Sequence, residues 1–306
     1  MTKKNSQSID EIIDDVVRES KVLLARSTLD KYIMNPMMNQ RLVHDASERR
    51  TILSSESGSE KYKQVSDFEL KENLLGFFKN HRSAMQTEFK KLFLKKIGAE
   101  KYKNYVYSLS QLWTKGRQGR NRKEIQSLMQ SVNDFLAIYG GQPKNLIVGQ
   151  FSCGTQPPLF STDDTQTLLL INKQLLDYYF QDYAHLVSKS KSALSFSTND
   201  IWLHRGIDLK VEWEEGQKYK EKAFLNSYSL SVGVSEKFSS ILGRKNNSIV
   251  SWKAYDLIDR VFAFYGFIPG MCDRQLEVIT IPTFLEANIT KKNSDKNIVD
   301  YEIGYY

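Results

Sequence analysis

Three short segments in the C-terminal half carry side chains that together can hold a pyrophosphate and a ribose. They are Trp202-Leu203-His204-Arg205-Gly206, then Phe224-Leu225-Asn226-Ser227-Tyr228-Ser229-Leu230-Ser231 with Phe238 following, and Gln275-Leu276-Glu277-Val278-Ile279-Thr280-Ile281-Pro282. An arginine at a strand end beside glycine offers its planar fork to a phosphate while the backbone stays close. Serines at alternate strand positions line one face, where they can fix a carboxylate by hydrogen bonds. A carboxylate on an apolar strand is costly to bury without partners, so Glu277 implies a hydroxyl or a developing cation beside it. Strand alternation points Gln275 and Glu277 the same way. Each piece alone has a plain alternative: Arg205 as a surface ion-pair partner, the serines as a wet strand face, Phe238 as core. The order of arginine, serine and glutamate on three short strands is what carries the chemistry.

The elements that must position these residues follow from periodicity. Ser8 and Glu11 form a capping-box pattern among Ile9, Ile12, Ile13, Val16 and Val17, which predicts a helix over Asp10 to Arg26. Ser, Glu, Gly and Lys dominate Leu53 to Gln64, the composition of a flexible linker. From Asp67 to about Tyr139 apolar residues recur at helical spacing, with a basic segment, Lys115 to Lys123, that reads as a solvated loop or a phosphate-binding one. Gly140-Gly141-Gln142-Pro143 and Gly154 to Pro158 are breaks, and the domain boundary falls near them: a helical region, 1–145, and a second domain, 146–306. The second domain opens on a helix, Thr162 to Ser188, and continues as short strands at Ile201–Arg205, Lys222–Leu230, Ser248–Ala254, Gln275–Pro282 and Ile298–Tyr306. Helices followed by strands indicate an α+β fold with a small antiparallel or mixed sheet.

Bulk properties exclude several classes. The 306 residues are 41% hydrophobic and 12% aromatic, which suits a globular core. A formal charge of +7 is compatible with an acidic partner, nucleic acid included, or with solubility alone. Two cysteines, Cys153 and Cys272, imply no disulfide framework and fit a reducing compartment. Four histidines without paired spacing argue against a zinc site. The N-terminal residues are not a signal peptide, and the apolar run near Val261–Ile268 is far too short to span a membrane. The expected location is the cytoplasm, or a host cytosol reached by a route that needs no cleaved signal.

Taken in order, the segments resemble the R-S-E mono-ADP-ribosyltransferases. Ser227 and Ser229 match the serines that flank a threonine in that family, with Tyr228 in the threonine's place; Leu230, Ser231 and Phe238 fall in register, and Ser235 stands where the family has alanine. Glu277-Val278 with Ile281-Pro282, then Phe284, is similar to the family's catalytic strand. The resemblance covers roughly Asp200 to Ile289. It implies a split, mainly antiparallel β-sheet and NAD as substrate, with Arg205 on the NAD phosphates and Gly206 beside it. Ser227 would orient Glu277, Ser229 would join Arg205 and Gly206 in binding NAD, Glu277 would grip the nicotinamide ribose and Phe238 would pack near the nicotinamide. Gln275 would meet the nucleophile. Glutamine there leans away from arginine as target, since an amide suits an amide or a nucleobase edge; Rho-modifying exoenzymes and pierisin-like toxins share this Q-x-E. The reading is a glycosyltransferase-class enzyme acting on a protein side chain, as a toxin or effector, with the helical region docking the target, closing over NAD or serving delivery. The alternatives are modification of guanine in nucleic acid and a non-enzymatic binding protein with a degenerate site.

Overall fold

In a computed structural model, the structure describes residues 60–113, 122–139, 156–188, 198–209, 211–219, 223–239, 246–272, 275–282, 287–295 and 298–305, together with Gly119 and Glu221. The helix expected over Asp10–Arg26, most of the basic Lys115–Lys123 segment, the Gly140–Pro143 break and Cys153 lie outside the described residues.

Helix α1, Glu60–Lys96, begins inside the stretch read as a linker, so residues 60–64 are helical; residues 53–59 lie outside the described set. Its described C-terminal part places Phe77, Phe78, Met85, Phe89, Leu92 and Phe93 in the core. Gly98, at φ 120, turns the chain into α2, Ala99–Tyr107, a conformation that L side chains rarely adopt. A π-helical turn, Ser108–Leu112, follows directly and ends at Trp113. Helix α3 spans Lys123–Tyr139, and α4 spans Thr162–Ser188, the limits that its apolar spacing predicts. A reciprocal cap starts α4: the Asp164 N–H donates to Ser161 Oγ at 3.1 Å and the Ser161 N–H donates to Asp164 Oδ2 at 3.0 Å. Lys101 of α2 also reaches Asp164 Oδ2, at 2.6 Å. Burial pushes the Asp164 carboxyl up, but Lys101 and Ser161 outweigh it and hold its pKa below the ordinary value.

Eight strands follow: β1 Trp202–Leu209, β2 Lys218–Tyr219, β3 Asn226–Ser229, β4 Asn246–Lys253, β5 Val261–Phe264, β6 Glu277–Thr280, β7 Ala287–Asp295 and β8 Ile298–Gly304. Helix α5, Val232–Ser239, leaves β3, and a short helix α6, Ala254–Leu257, leaves β4. The strands form one sheet in the order β2-β7-β8-β4-β1-β3-β6-β5. That sheet is mixed, which corrects the expectation of a mainly antiparallel one: β4 and β8 run parallel. Three strands intervene between them in the chain, enough for the crossover that a parallel pair requires. A narrow waist divides the sheet. β1 meets β3 through the single register pair His204↔Ser229, whereas β1 and β4 share register from Trp202↔Lys253 to Leu209↔Asn246.

The helical layer covers the β5 end of the sheet. Tyr105 Oη and Asn172 Nδ2 both donate to the Phe262 carbonyl, at 2.6 and 2.8 Å, closing an edge that would otherwise be free to pair. Phe89 stacks on Phe267 with ring centroids 5.4 Å apart, and Phe78 meets Phe264 edge-on at 5.3 Å. One hydrophobic cluster therefore runs from Phe77 on α1 to Ile303 on β8.

Candidate active site

The register pairs His204↔Ser229 and Ser229↔Glu277 align β1, β3 and β6, so His204, Ser229 and Glu277 share a face, and Ser227 joins them two residues along β3. The Ser227 hydroxyl donates to Glu277 Oε1 at 2.5 Å. A second donor comes from the helical layer: the Trp113 indole N–H reaches the same oxygen at 2.9 Å. Glu277 is buried, and the two hydrogen bonds it accepts among the described residues both fall on Oε1. Next to it, Ser229 Oγ donates to the Gln275 carbonyl at 2.6 Å and accepts the Ser231 N–H at 2.9 Å. On the β1 side, His204 Nδ1 and Ser251 Oγ are hydrogen-bonded at 2.8 Å.

Gln275 does not sit on the strand. β6 begins at Glu277, and Leu276 between them has φ 47, a left-handed conformation unusual for a branched apolar residue. Simple alternation therefore does not relate Gln275 to Glu277. The turn is over-determined: Leu276 is fully buried, its carbonyl accepts the Leu230 N–H at 3.2 Å, and the Gln275 carbonyl is held by Ser229.

Arg205 lies on the other face of β1. Its Nη1 donates to Asn226 Oδ1 at 2.5 Å, and its guanidinium lies over the Tyr228 ring at 5.8 Å. Asn226 and Tyr228 alternate with Ser227 along β3 and so share that opposite face. Burial works against the Arg205 charge, but Tyr219, Tyr228 and Glu221 offset it and raise its pKa above arginine's ordinary value. Behind it, Glu221 accepts the Tyr228 hydroxyl at 2.7 Å and Arg260 Nη1 at 3.0 Å. Burial, then the charge of Glu221, push the Tyr219 hydroxyl up to about 12.

Gly206 serves packing. A Cβ there would stand 1.9 Å from Ser235 O and 2.6 Å from Ser239 N, so its missing side chain lets α5 lie directly on β1. Phe238, on that helix, is 46% exposed and leaves a flat ring facing outward. The structure thus gathers Ser227, Ser229 and the Gln275 backbone around Glu277, places Arg205 across the sheet, and leaves Phe238 at the surface. Trp113 and His204 join the Glu277 face without having been singled out for it. Alternation sets His204 opposite Arg205, but only the register of β1 against β3 brings it to the Glu277 face. Nothing local marks Trp113, which is 164 positions from its partner.

Among the described residues no group of three or more His, Cys, Asp or Glu is placed to hold a metal, and no helix is long and apolar enough to cross a membrane. No protein-family model and no curated protein matches the chain. Among solved structures, the chain aligns with the ADP-ribosyltransferase Vis in complex with the M6 inhibitor at 14% identity and TM-score 0.32, over 73% of this chain and 83% of that one. The Vis toxin, an ADP-ribosyltransferase from Vibrio splendidus, aligns at 14% identity and TM-score 0.29 over the same shares. The agmatine complex of Vis aligns at 15% identity and TM-score 0.29, over 72% of this chain and 84% of that one. At those values the likeness is distant.

Proposed function

We propose that the chain is a mono-ADP-ribosyltransferase that uses NAD as substrate. The observation that carries the reading is the hydrogen bond from Ser227 to Glu277 Oε1 across β3 and β6, the serine–glutamate pair that the sequence motifs single out. With Oε1 occupied, Oε2 is the oxygen left for a hydroxyl of the nicotinamide ribose. In the transfer, the bond from ribose C1′ to the nicotinamide nitrogen breaks and its electron pair leaves with nicotinamide. C1′ then bonds the nucleophile of the target, which gives up a proton. Positive charge spreads over C1′ and the ring oxygen in between, and a fixed carboxylate lowers the energy of that state because it needs no reorganisation.

Gln275 stands at the mouth of the turn before Glu277, where its amide would meet the target group. Arg205 fixes β3 from the opposite face, and a role on the NAD phosphates requires its guanidinium to release Asn226 and cross to the Glu277 face. Phe238 supplies an outward ring for the nicotinamide side. The helical region, 1–145, would dock the target or close over NAD, and the target is a protein side chain other than arginine, in keeping with a toxin or effector.

The test is incubation of the protein with labelled NAD and a whole-cell lysate, beside Glu277→Ala. Label in a protein band that the variant does not produce supports the reading. Nuclease-sensitive label moves the target to a nucleobase. No label and no released nicotinamide, across lysates of several sources, sinks it in favour of a binding protein.

A further inference from the structure

The helical layer supplies a donor to Glu277 that none of the three β-strand motifs contains. We propose that Trp113 is a positioning residue for Glu277, sharing Oε1 with Ser227 and fixing the carboxylate so that Oε2 faces the substrate. The inference rests on the transferase reading of this site and deepens it.

A carboxylate bonded by one donor can still rotate about its terminal torsion. Two donors on the same oxygen, Ser227 Oγ at 2.5 Å and Trp113 Nε1 at 2.9 Å, fix that torsion and the direction of its charge. The fold does not need Glu277 merely to satisfy an indole. The Trp202 and Trp252 indole N–H groups are also buried, and neither has a hydrogen-bond partner among the described residues. Trp113 is itself rigidly placed. It follows the π-helical turn Ser108–Leu112, four of whose residues, Ser108, Leu109, Ser110 and Leu112, are buried; single π turns of this kind recur at functional sites. The same layer grips the loop that leads to Glu277. Arg82 Nη2 donates to the Met271 carbonyl at 2.6 Å, and Gly270, at φ 84, lies so close to the π turn that a Cβ on it would stand 3.1 Å from Ser110 Cβ. The indole and the strand bearing its acceptor are thus held by one framework.

The experiment uses the full chain and two replacements: Trp113→Phe, and Trp113→benzothienylalanine, which keeps the ring shape and puts sulfur in place of the N–H. NAD turnover is followed as nicotinamide release. Both replacements should lower kcat roughly tenfold, the effect of one lost hydrogen bond to a charged group, and leave the KM for NAD within about twofold. In parallel, one of the four tryptophan indole N–H resonances, identified by its absence from Trp113→Phe, should move upfield in Glu277→Ala. An unchanged kcat in the benzothienylalanine protein overturns the inference, as does a loss carried by KM. A rise in kcat marks the indole as a block and overturns it too. An indole resonance indifferent to Glu277→Ala does the same. Wild-type protein that releases no nicotinamide overturns the underlying reading, and the inference with it; wild-type turnover with unaltered variants overturns the inference alone.

Discussion

Replacing Gly206 with alanine separates two roles for this glycine, close approach to a ligand and close approach to a helix. The added Cβ would lie 1.9 Å from Ser235 O, 2.6 Å from Ser239 N and 2.9 Å from Ser235 C, all backbone atoms of α5. No rotamer change can relieve backbone contacts, so α5 has to move outward by about 1.5 Å to restore ordinary van der Waals spacing. Overpacking of a well-filled site costs about 1–3 kcal/mol, and a contact that must displace a whole helix belongs at the top of that range. We therefore expect Gly206→Ala to lose about 3 kcal/mol. With a urea slope of about 3 kcal/mol/M, the unfolding midpoint should fall by about 1 M at unchanged slope. The measurement is equilibrium urea unfolding followed by tryptophan fluorescence and by far-UV circular dichroism together. A midpoint within about 0.2 M of wild type would refute the packing argument and return Gly206 to the ligand-binding role that its place beside Arg205 suggests.

Ser227→Ala removes one of the two donors on Glu277 Oε1, and loss of a charge-assisted hydrogen bond of about 1.5–3 kcal/mol should lower nicotinamide release roughly 10- to 100-fold; a change under about twofold in kcat speaks against orientation by Ser227. Asp164→Asn should lose about 1 kcal/mol at neutral pH by weakening the α4 cap. Because the native Asp164 pKa is lowered, wild type keeps that advantage above the ordinary value of 3.8 and loses it as pH falls through the lowered native value. Unfolding curves of the two proteins should therefore converge in acid, and a difference that persists there contradicts the assignment. Arg260→Met removes the ion-pair partner of buried Glu221 and should cost about 3 kcal/mol. Combined with Glu221→Gln, the loss should be smaller than the sum of the single variants, and strict additivity in that cycle would show that the pair does not interact.

The sequence was most readable where one element carries its own pattern. The limits of α4 follow from its apolar spacing and from the polar residues that start it, and the β4 and β8 segments are placed within two residues at either end. It was least readable where tertiary context decides. Glu60, Lys61, Lys63 and Gln64 look like a linker in composition, yet they open a helix whose later turns bury Phe77 and Phe78. Val261–Phe264 was noted as an apolar run, and a run that is buried on all its residues cannot be told from a helix segment by periodicity. The polar strand Ala287–Asp295 lacks strand composition and exists because β8 pairs along most of its length. Within the site, the family resemblance pairs Ser227 with Glu277, and strand alternation adds only that Ser227 and Ser229 share a face. Arg205 could not be placed, since a face assignment needs the register of β1 against β3. The turn at Leu276 was hidden because its φ is imposed by neighbours and not by residue type.

The waist between β1 and β3 has a mechanical consequence. A single register pair, His204↔Ser229, joins the half of the sheet that bears Gly206 and α5 to the half that bears Ser227 and Glu277. Flexing the sheet between β1 and β4 would disturb register over the whole length of β1, whereas flexing it at the waist disturbs one register pair and the Arg205 contacts with Asn226 and Tyr228. The waist at His204 and Ser229 is therefore the section of the sheet where bending breaks the fewest backbone pairings, and it lies beside Glu277.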